Sequence, residues 1–279
     1  MNKRAFLLIA SMLMGYNAFA QTSNLAQKPI DRSLARHNFL YAGEGKQRRI
    51  YIVKDGQVTW KYNNPQGRGE ISDAILMTDG NVLVAHQYGI CEVTQQGQTL
   101  WSYAAPEGTE IHTIQPIGRK HVLFVQNGHP AKVVVMQIPT CQVTHEFEVP
   151  APQGVHGQFR NARLSTRGTL LIAHMGQDYV AEYTEQGTEL TRWECPAPWS
   201  VAELKRLNEW RTPIDTLNAP VQAIEINKKG KVVWQLCAWR NPDLGPSTTI
   251  QPLNQAVNRD RLFFGHFNAA HSSGSHRRK

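Results

Sequence analysis

Five side chains in this chain combine into one kind of chemistry: His86, His112, His156, Arg160 and His174. Imidazoles donate hydrogen bonds when neutral and carry charge when protonated, and a guanidinium grips a carboxylate, phosphate or sulfate through two parallel N–H groups. Brought together they would hold a small anion, more tightly below about pH 6.5, where imidazoles become cationic. The only carboxylates that this reading places nearby are Glu110 and Asp178. Taken singly, each histidine reads as an ordinary loop residue or a hydrogen-bonded strand end. What singles out the group is that its members fall at equivalent points of a repeat. A second reading makes His112 the nucleophile of a group-transfer enzyme. The chain has no HxxxH or HxH spacing, so no local chelate is present and no metal is expected.

The repeat has to do the positioning. Glu70 to Tyr103 contains three short apolar runs and a Trp-bearing run, separated by turn residues. Asp79-Gly80 reads as a two-residue hairpin with positive φ at both central positions. Val82 to Ala85 is a continuous β-branched run, as in a strand covered on both faces. Thr99 to Tyr103 alternates with period two. The turn positions 56, 97, 141, 187 and 230 are spaced 41, 44, 46 and 43 apart, and four of the five lead to a tryptophan. Four strands per unit at a period of about 40–45 describe a propeller blade. A β-sandwich also has short, evenly spaced strands, but gives no reason for five repetitions. On this register Ser72, His112, Arg160 and Ser200 begin innermost strands. His86, Asn127 and His174 follow second strands, with His129, His156 and Gln158 close by. Such places face one mouth of a propeller channel, where convergent polar groups make a pocket.

The fold class expected is therefore all-β: a β-propeller of four-stranded antiparallel blades, five detectable, with six or seven left open. Residues 1–20 read as a signal peptide: Lys3-Arg4, an apolar run to Met14, and Ala18-Phe19-Ala20 before Gln21. That places the mature protein in the periplasm or outside the cell, cleaved near Ala20. Residues 21–35 are a leader, 36–267 the propeller, and 268–279 a disordered tail. Asn38–Ala42, Arg48–Val53 and Val58–Tyr62 supply three strands and lack a first. Ser247–Leu253 matches the first strand of the third repeat, so N- and C-terminal strands are expected to close the ring and cover its edge. In the fifth repeat, Val201, Leu204, Leu207 and Trp210 have helical spacing, which predicts a helical insertion or a partly lost blade. The formal charge is +8; five of those charges, at Lys3, Arg4, Arg277, Arg278 and Lys279, lie in the leader and tail, leaving +3. That balance, without aromatic–basic interleaving, does not point to nucleic acid, and no run is long enough to span a membrane. Cys91 reads as a small buried hydrophobe, and a Cys195–Cys237 disulfide is left open by the spacing.

DGQVTWKY, QGQTLWSY and KKGKVVWQL resemble the repeat of PQQ-like (quinoprotein-like) β-propellers of secreted bacterial type, over nearly all of the mature chain. Ala105 to His112, His156 to Arg160 and Asn241 to Pro246 add to that resemblance. It implies that Trp60, Trp101 and Trp234 pack between blades. It does not imply the quinone, because the enzymes that hold it have eight blades and an adjacent cysteine pair, which this chain lacks. No cofactor is expected. The function expected is a ligand-binding or protein-interaction module, its partner a small anion or another protein. The alternative is an arylsulfotransferase-like transfer through His112.

Overall fold

The computed structural model describes residues 7–9, 33–43, 48–64, 68–195, 197–202, 209–211, 221–226, 232–237 and 247–255. Its strands run in chain order. A short strand, β1 (Leu7–Ile9), comes first. β2 (Phe39–Gly43), β3 (Arg49–Lys54) and β4 (Gln57–Asn63) follow. The second unit is β5 (Asp73–Leu76), β6 (Val82–Ala85), β7 (Gly89–Val93) and β8 (Thr99–Ala104). The third is β9 (Glu110–Ile117), β10 (His121–Asn127), β11 (Ala131–Gln137) and β12 (Gln142–Val149). The fourth is β13 (Asn161–Leu164), β14 (Leu170–His174), β15 (Tyr179–Tyr183) and β16 (Glu189–Glu194). Last come β17 (Ser200–Ala202), β18 (Glu209–Arg211), β19 (Val221–Ile226), β20 (Val232–Cys237) and β21 (Ser247–Pro252).

The protein is an all-β propeller. Four sheets have four antiparallel strands each, and the fifth repeat supplies a three-stranded sheet, β18-β19-β20. The first sheet has the order β21-β2-β3-β4, with Phe39 opposite Pro252 and Leu40 opposite Gln251, so a strand from the end of the chain completes the N-terminal three. The expected helical insertion is not what the described residues show. Ser200–Ala202 and Glu209–Arg211 are strands, and Trp210 pairs with Glu225 of β19. Two of the four apolar positions, Val201 and Trp210, thus lie in strands. Leu204 and Leu207 lie outside the described residues, as do the turn at Gly230, the residues after 255 and most of 1–32. β1, within the segment read as a signal peptide, pairs with β17.

The hairpins are mostly not the two-residue kind. Gly80 N–H donates to Met77 O at 3.0 Å, and Gly97 N–H to Thr94 O at 2.9 Å. Only the glycine of each turn takes positive φ, +89° at Gly80 and +80° at Gly97, while Asp79 does not. That is a type I turn followed by a left-handed residue, which widens the loop and adds a bulge. Asp55-Gly56 does have positive φ at both positions. Cys141 takes φ +56° at the same repeat position, which explains how the period survives there without glycine.

The apolar cores lie between the sheets. Leu40, Ile50 and Ile52 pack with Val82, Val84 and Cys91 between the first and second blades. Leu83 and Trp101 pack with Phe124 and Val134 between the second and third. Leu123 and Val133 pack with Ile172 and Tyr183 between the third and fourth. Trp234 and Leu236 of the fifth unit pack against Phe39 and Tyr51 of the first. Trp60, Trp101 and Trp234 all lie in these seams. Cys91 is buried, and Cys195, left open as a disulfide partner, is a buried free thiol.

Candidate functional site

The segment that enters each innermost strand has the same form in three successive blades: Glu70-Ile71-Ser72, Glu110-Ile111-His112 and Gln158-Phe159-Arg160. The middle residue is apolar and fully buried in each, at 0%, 0% and 1% exposure. It anchors the segment in the seam, and the residues on either side are thereby held toward one common point.

Two imidazoles, a guanidinium and two carboxylates meet there. His112 Nε2 lies 2.8 Å from Glu110 Oε2, and His156 Nδ1 lies 2.8 Å from the same oxygen. A carboxylate oxygen can only accept, so both nitrogens carry hydrogens and donate. Gln87 Nε2 donates to the other oxygen, Oε1, at 2.9 Å. Gln87 reaches across because it leaves β6 with φ +47° and bridges to Ile111 of the next blade. On the opposite side of the rings, Arg160 Nη2 donates to His156 Nε2 at 2.8 Å, and Arg160 Nη1 lies 3.1 Å from His112 Nδ1. The same Nη1 is paired with Glu70. Ser72 Oγ completes the shell, 2.8 Å from His112 Nδ1 and 3.1 Å from Glu70 Oε1. With neutral imidazoles the pattern closes: each ring donates to Glu110 and accepts from Arg160. The two rings meet edge to face with centroids 5.4 Å apart, and Trp199 lies 4.6 Å under the guanidinium carbon.

Burial grades the group. His112 and Arg160 side chains are 1% and 6% exposed, whereas that of His156 is 54% exposed. Burial pushes the Glu110 carboxyl up, but hydrogen bonds from His112, Gln87 and His156 outweigh it and hold its pKa at about 2. Glu110 also lines a cleft of about 580 Å³, with Arg68, Tyr88, Pro106, Glu107 and Val155 among its walls. Arg68 lies over the Tyr88 ring at 4.7 Å.

The five side chains singled out by type and register separate into two groups. His112, His156 and Arg160 come together. His174 does not join them. Its Nε2 is 2.9 Å from Tyr183 Oη, its Nδ1 is 3.2 Å from Gln177 Oε1, and its ring stacks on Tyr179 in the seam. Burial lowers its pKa to about 4. His86 is buried at the end of β6, packed close to Gly89, and its Nδ1 has no partner. Desolvation lowers its pKa as well. Asn127, at the same repeat position, donates to Val155 O and Phe159 O. His86, Asn127 and His174 thus stay out of the cluster, and Gln87, the residue after His86, enters it. Asp178, the second expected carboxylate, accepts from Ala197 N–H instead. Glu70 escaped the reading by residue type. Its signal was its place, two residues before Ser72 as Glu110 is two before His112.

Glu70 and Glu110 change the charge balance. Of the groups expected to greet an anion, His112, His156 and Arg160 already face a carboxylate. His112 is buried, with Nε2 against Glu110 and Nδ1 against Ser72 and Arg160.

Against solved structures the chain is similar to a protein of unknown function from Bacteroides caccae, at 20% identity and a TM-score of 0.66, over 77% of this chain and 98% of that one. It is also similar to the WD40 β-propeller domain of Doa1, at 11% identity and a TM-score of 0.48, over 77% of this chain and 59% of that one. A third is virginiamycin B lyase from Staphylococcus aureus, at 14% identity and a TM-score of 0.42, over 69% and 68%. The first of these supports the propeller fold and nothing finer. No family model and no curated protein sequence matches this chain.

Proposed function

We propose that this propeller is a ligand-binding module, and that its ligand sits in the cleft beside Glu110. The observation that carries this is the convergence of Glu70, Glu110, His112, His156 and Arg160 from three blades, with Glu110 of that group lining a cleft of about 580 Å³, which is within the size range of small-molecule sites. Glu110 stays ionised, and a second carboxylate, Glu107, lines the same wall. Tyr88 offers an aromatic face that already carries a guanidinium. These features favour a small molecule with a protonated amine or guanidine, placed against Glu110 and over Tyr88. An anion, expected from residue types alone, would meet Glu70 and Glu110 first.

The test is a thermal-shift screen in the presence of a chelator, with small amines and guanidines against sulfate, phosphate and carboxylates. Ligand at 100 times its Kd raises stability by about 2.7 kcal/mol. Amines and guanidines should shift wild type and lose that effect in Tyr88→Ala and Glu110→Gln. A shift by anions alone, or equal shifts in the variants, would reject the reading.

We further infer that the protein works in the periplasm or outside the cell, on the strength of Lys3-Arg4, the apolar run and Ala18-Phe19-Ala20. Among the described residues no helix is long and apolar enough to cross a membrane. Mass spectrometry of protein expressed from its own start should find Gln21 at the N-terminus. An intact Met1 in the cytoplasm would contradict it. Removing the leader also removes β1, so β17 then loses the partner it has here.

A further inference from the structure

One atom each from Glu70, His112 and His156 lies within 4.8 Å of the other two. We propose that this trio is a binding site for a divalent transition-metal ion of the zinc or cobalt kind, taken up where the Arg160 guanidinium now lies. The inference concerns the cage behind Glu110 and stands whether or not the cleft holds an amine.

Three observations support it. The first is the donor set. Two imidazoles and one carboxylate suit zinc, cobalt, nickel or iron, and not calcium or magnesium, which prefer oxygen. The second is what stands behind the imidazoles. A metal-bound histidine usually donates its other ring N–H to a carboxylate, which fixes the tautomer and strengthens the ligand. Glu110 Oε2 takes that role for both rings at once, at 2.8 Å from His112 Nε2 and 2.8 Å from His156 Nδ1. It leaves the lone pairs of His112 Nδ1 and His156 Nε2 directed at a common point. The third is what already lies at that point. Arg160 Nη1 is 3.1 Å from His112 Nδ1 and Nη2 is 2.8 Å from His156 Nε2, so the cage is already occupied by a cation.

The geometry asks for little movement. His112 Nδ1 and Glu70 Oε1 are 2.9 Å apart. Metal–ligand bonds of about 2.0–2.1 Å place neighbouring ligand atoms roughly 2.9–3.4 Å apart. His156 has further to come, and it is the exposed member, on a single 3-10 turn, Val155–Gly157. The guanidinium is imperfectly housed. Its Nε is buried without a partner, and Trp199 lies on its face. Metal and guanidinium compete for one place, so Arg160 sets the affinity rather than contributing to it.

That competition makes the test specific. Cobalt(II) and zinc(II) are titrated into the full protein by calorimetry and, for cobalt, by visible absorption. The expected result is one site per chain. It should be weakened at least tenfold in His156→Ala and Glu70→Gln, and tightened at least tenfold in Arg160→Met. Glu110→Gln should cost about 10–100-fold, as for a carboxylate behind a metal-bound imidazole. Circular dichroism checks that each variant folds, and His156→Ala, at an exposed position, is the one least able to disturb folding. The chain has eleven histidines, so His129→Ala and the pair His271→Ala, His276→Ala serve as controls and should leave the titration unchanged. Equal affinity in wild type and His156→Ala would overturn the proposal. So would weaker binding in Arg160→Met, or no binding by either protein at millimolar metal.

Discussion

At the scale of single residues, two titrations should show in the folding stability. His174 is buried and neutral, with its pKa lowered by desolvation from the ordinary 6.5 to about 4. The unfolded chain takes the proton first, so this residue's contribution is complete above pH 6.5 and is lost as pH falls toward 4. At about 1.4 kcal/mol per unit, the loss is roughly 3 kcal/mol. Denaturant midpoints measured from pH 7 to 4 should fall less steeply in His174→Gln than in wild type. An identical slope would place the acid sensitivity elsewhere. Glu110 acts lower down. Its pKa of about 2 lies below the ordinary 4.5, so its contribution is complete above 4.5 and is lost toward pH 2. Glu110→Gln should remove that arm and cost about 1–3 kcal/mol at neutral pH, because two imidazole N–H groups and Gln87 lose a charged acceptor. The sequence made these residues only partly legible. Type and register picked out His112, His156 and Arg160. His174 shares the register but turns into the seam toward Tyr183, because a ring at the end of β14 lies over β15, and spacing alone does not show which way a ring turns. Glu70 was visible only by comparing Glu-Ile-Ser with Glu-Ile-His.

At the scale of elements, a repeated Ile-Gln-Pro links neighbouring inner strands. Gln251 Oε1 accepts from Leu76 N–H at 2.7 Å, and its Nε2 donates to Leu76 O at 3.2 Å. The side chain of β21 thus imitates one rung of a ladder to β5 in the next blade. Gln115 of β9 repeats half of it, accepting from Leu164 N–H of β13 at 2.9 Å. Between these, Asp73 of β5 is fully buried and accepts from Ile114 N–H at 3.1 Å, Thr249 Oγ1 at 3.1 Å and Arg163 Nη2 at 2.9 Å. Together with the polar contacts at the strand entries, these bonds help to fix the angular setting of neighbouring blades. Gln251→Ala leaves an amide and a carbonyl without that partner and should cost about 1–3 kcal/mol. A denaturant midpoint unchanged from wild type would show that water replaces the side chain. The strand pattern was readable because β-branched runs and turn residues recur at a fixed period. The turn type was not, since Asp-Gly suits a two-residue loop and also the end of a type I turn, and only the backbone of Met77 to Gly80 decides between them.

At the scale of the whole molecule, the ring is closed by β21 on β2. Phe39, Leu40, Tyr41 and Ala42 are all at 0% exposure with that strand in place. Removing the chain from Ser247 onward exposes the β2 edge and takes away Ile250, Gln251 and Thr249 together. Each blade buries its apolar surface mainly against its neighbours, so the loss should spread. Light scattering should show aggregation, and a soluble truncation that unfolds as cooperatively as wild type would contradict closure by this pairing. The same arrangement ties folding to the order of synthesis. The strand that finishes the first sheet is made after every other described strand. A nascent chain that has not yet reached Ser247 lacks the strand that pairs with this edge of β2, whatever its later blades have done. The closing of the ring is therefore a step that waits on the synthesis of β21, however early the other blades have paired.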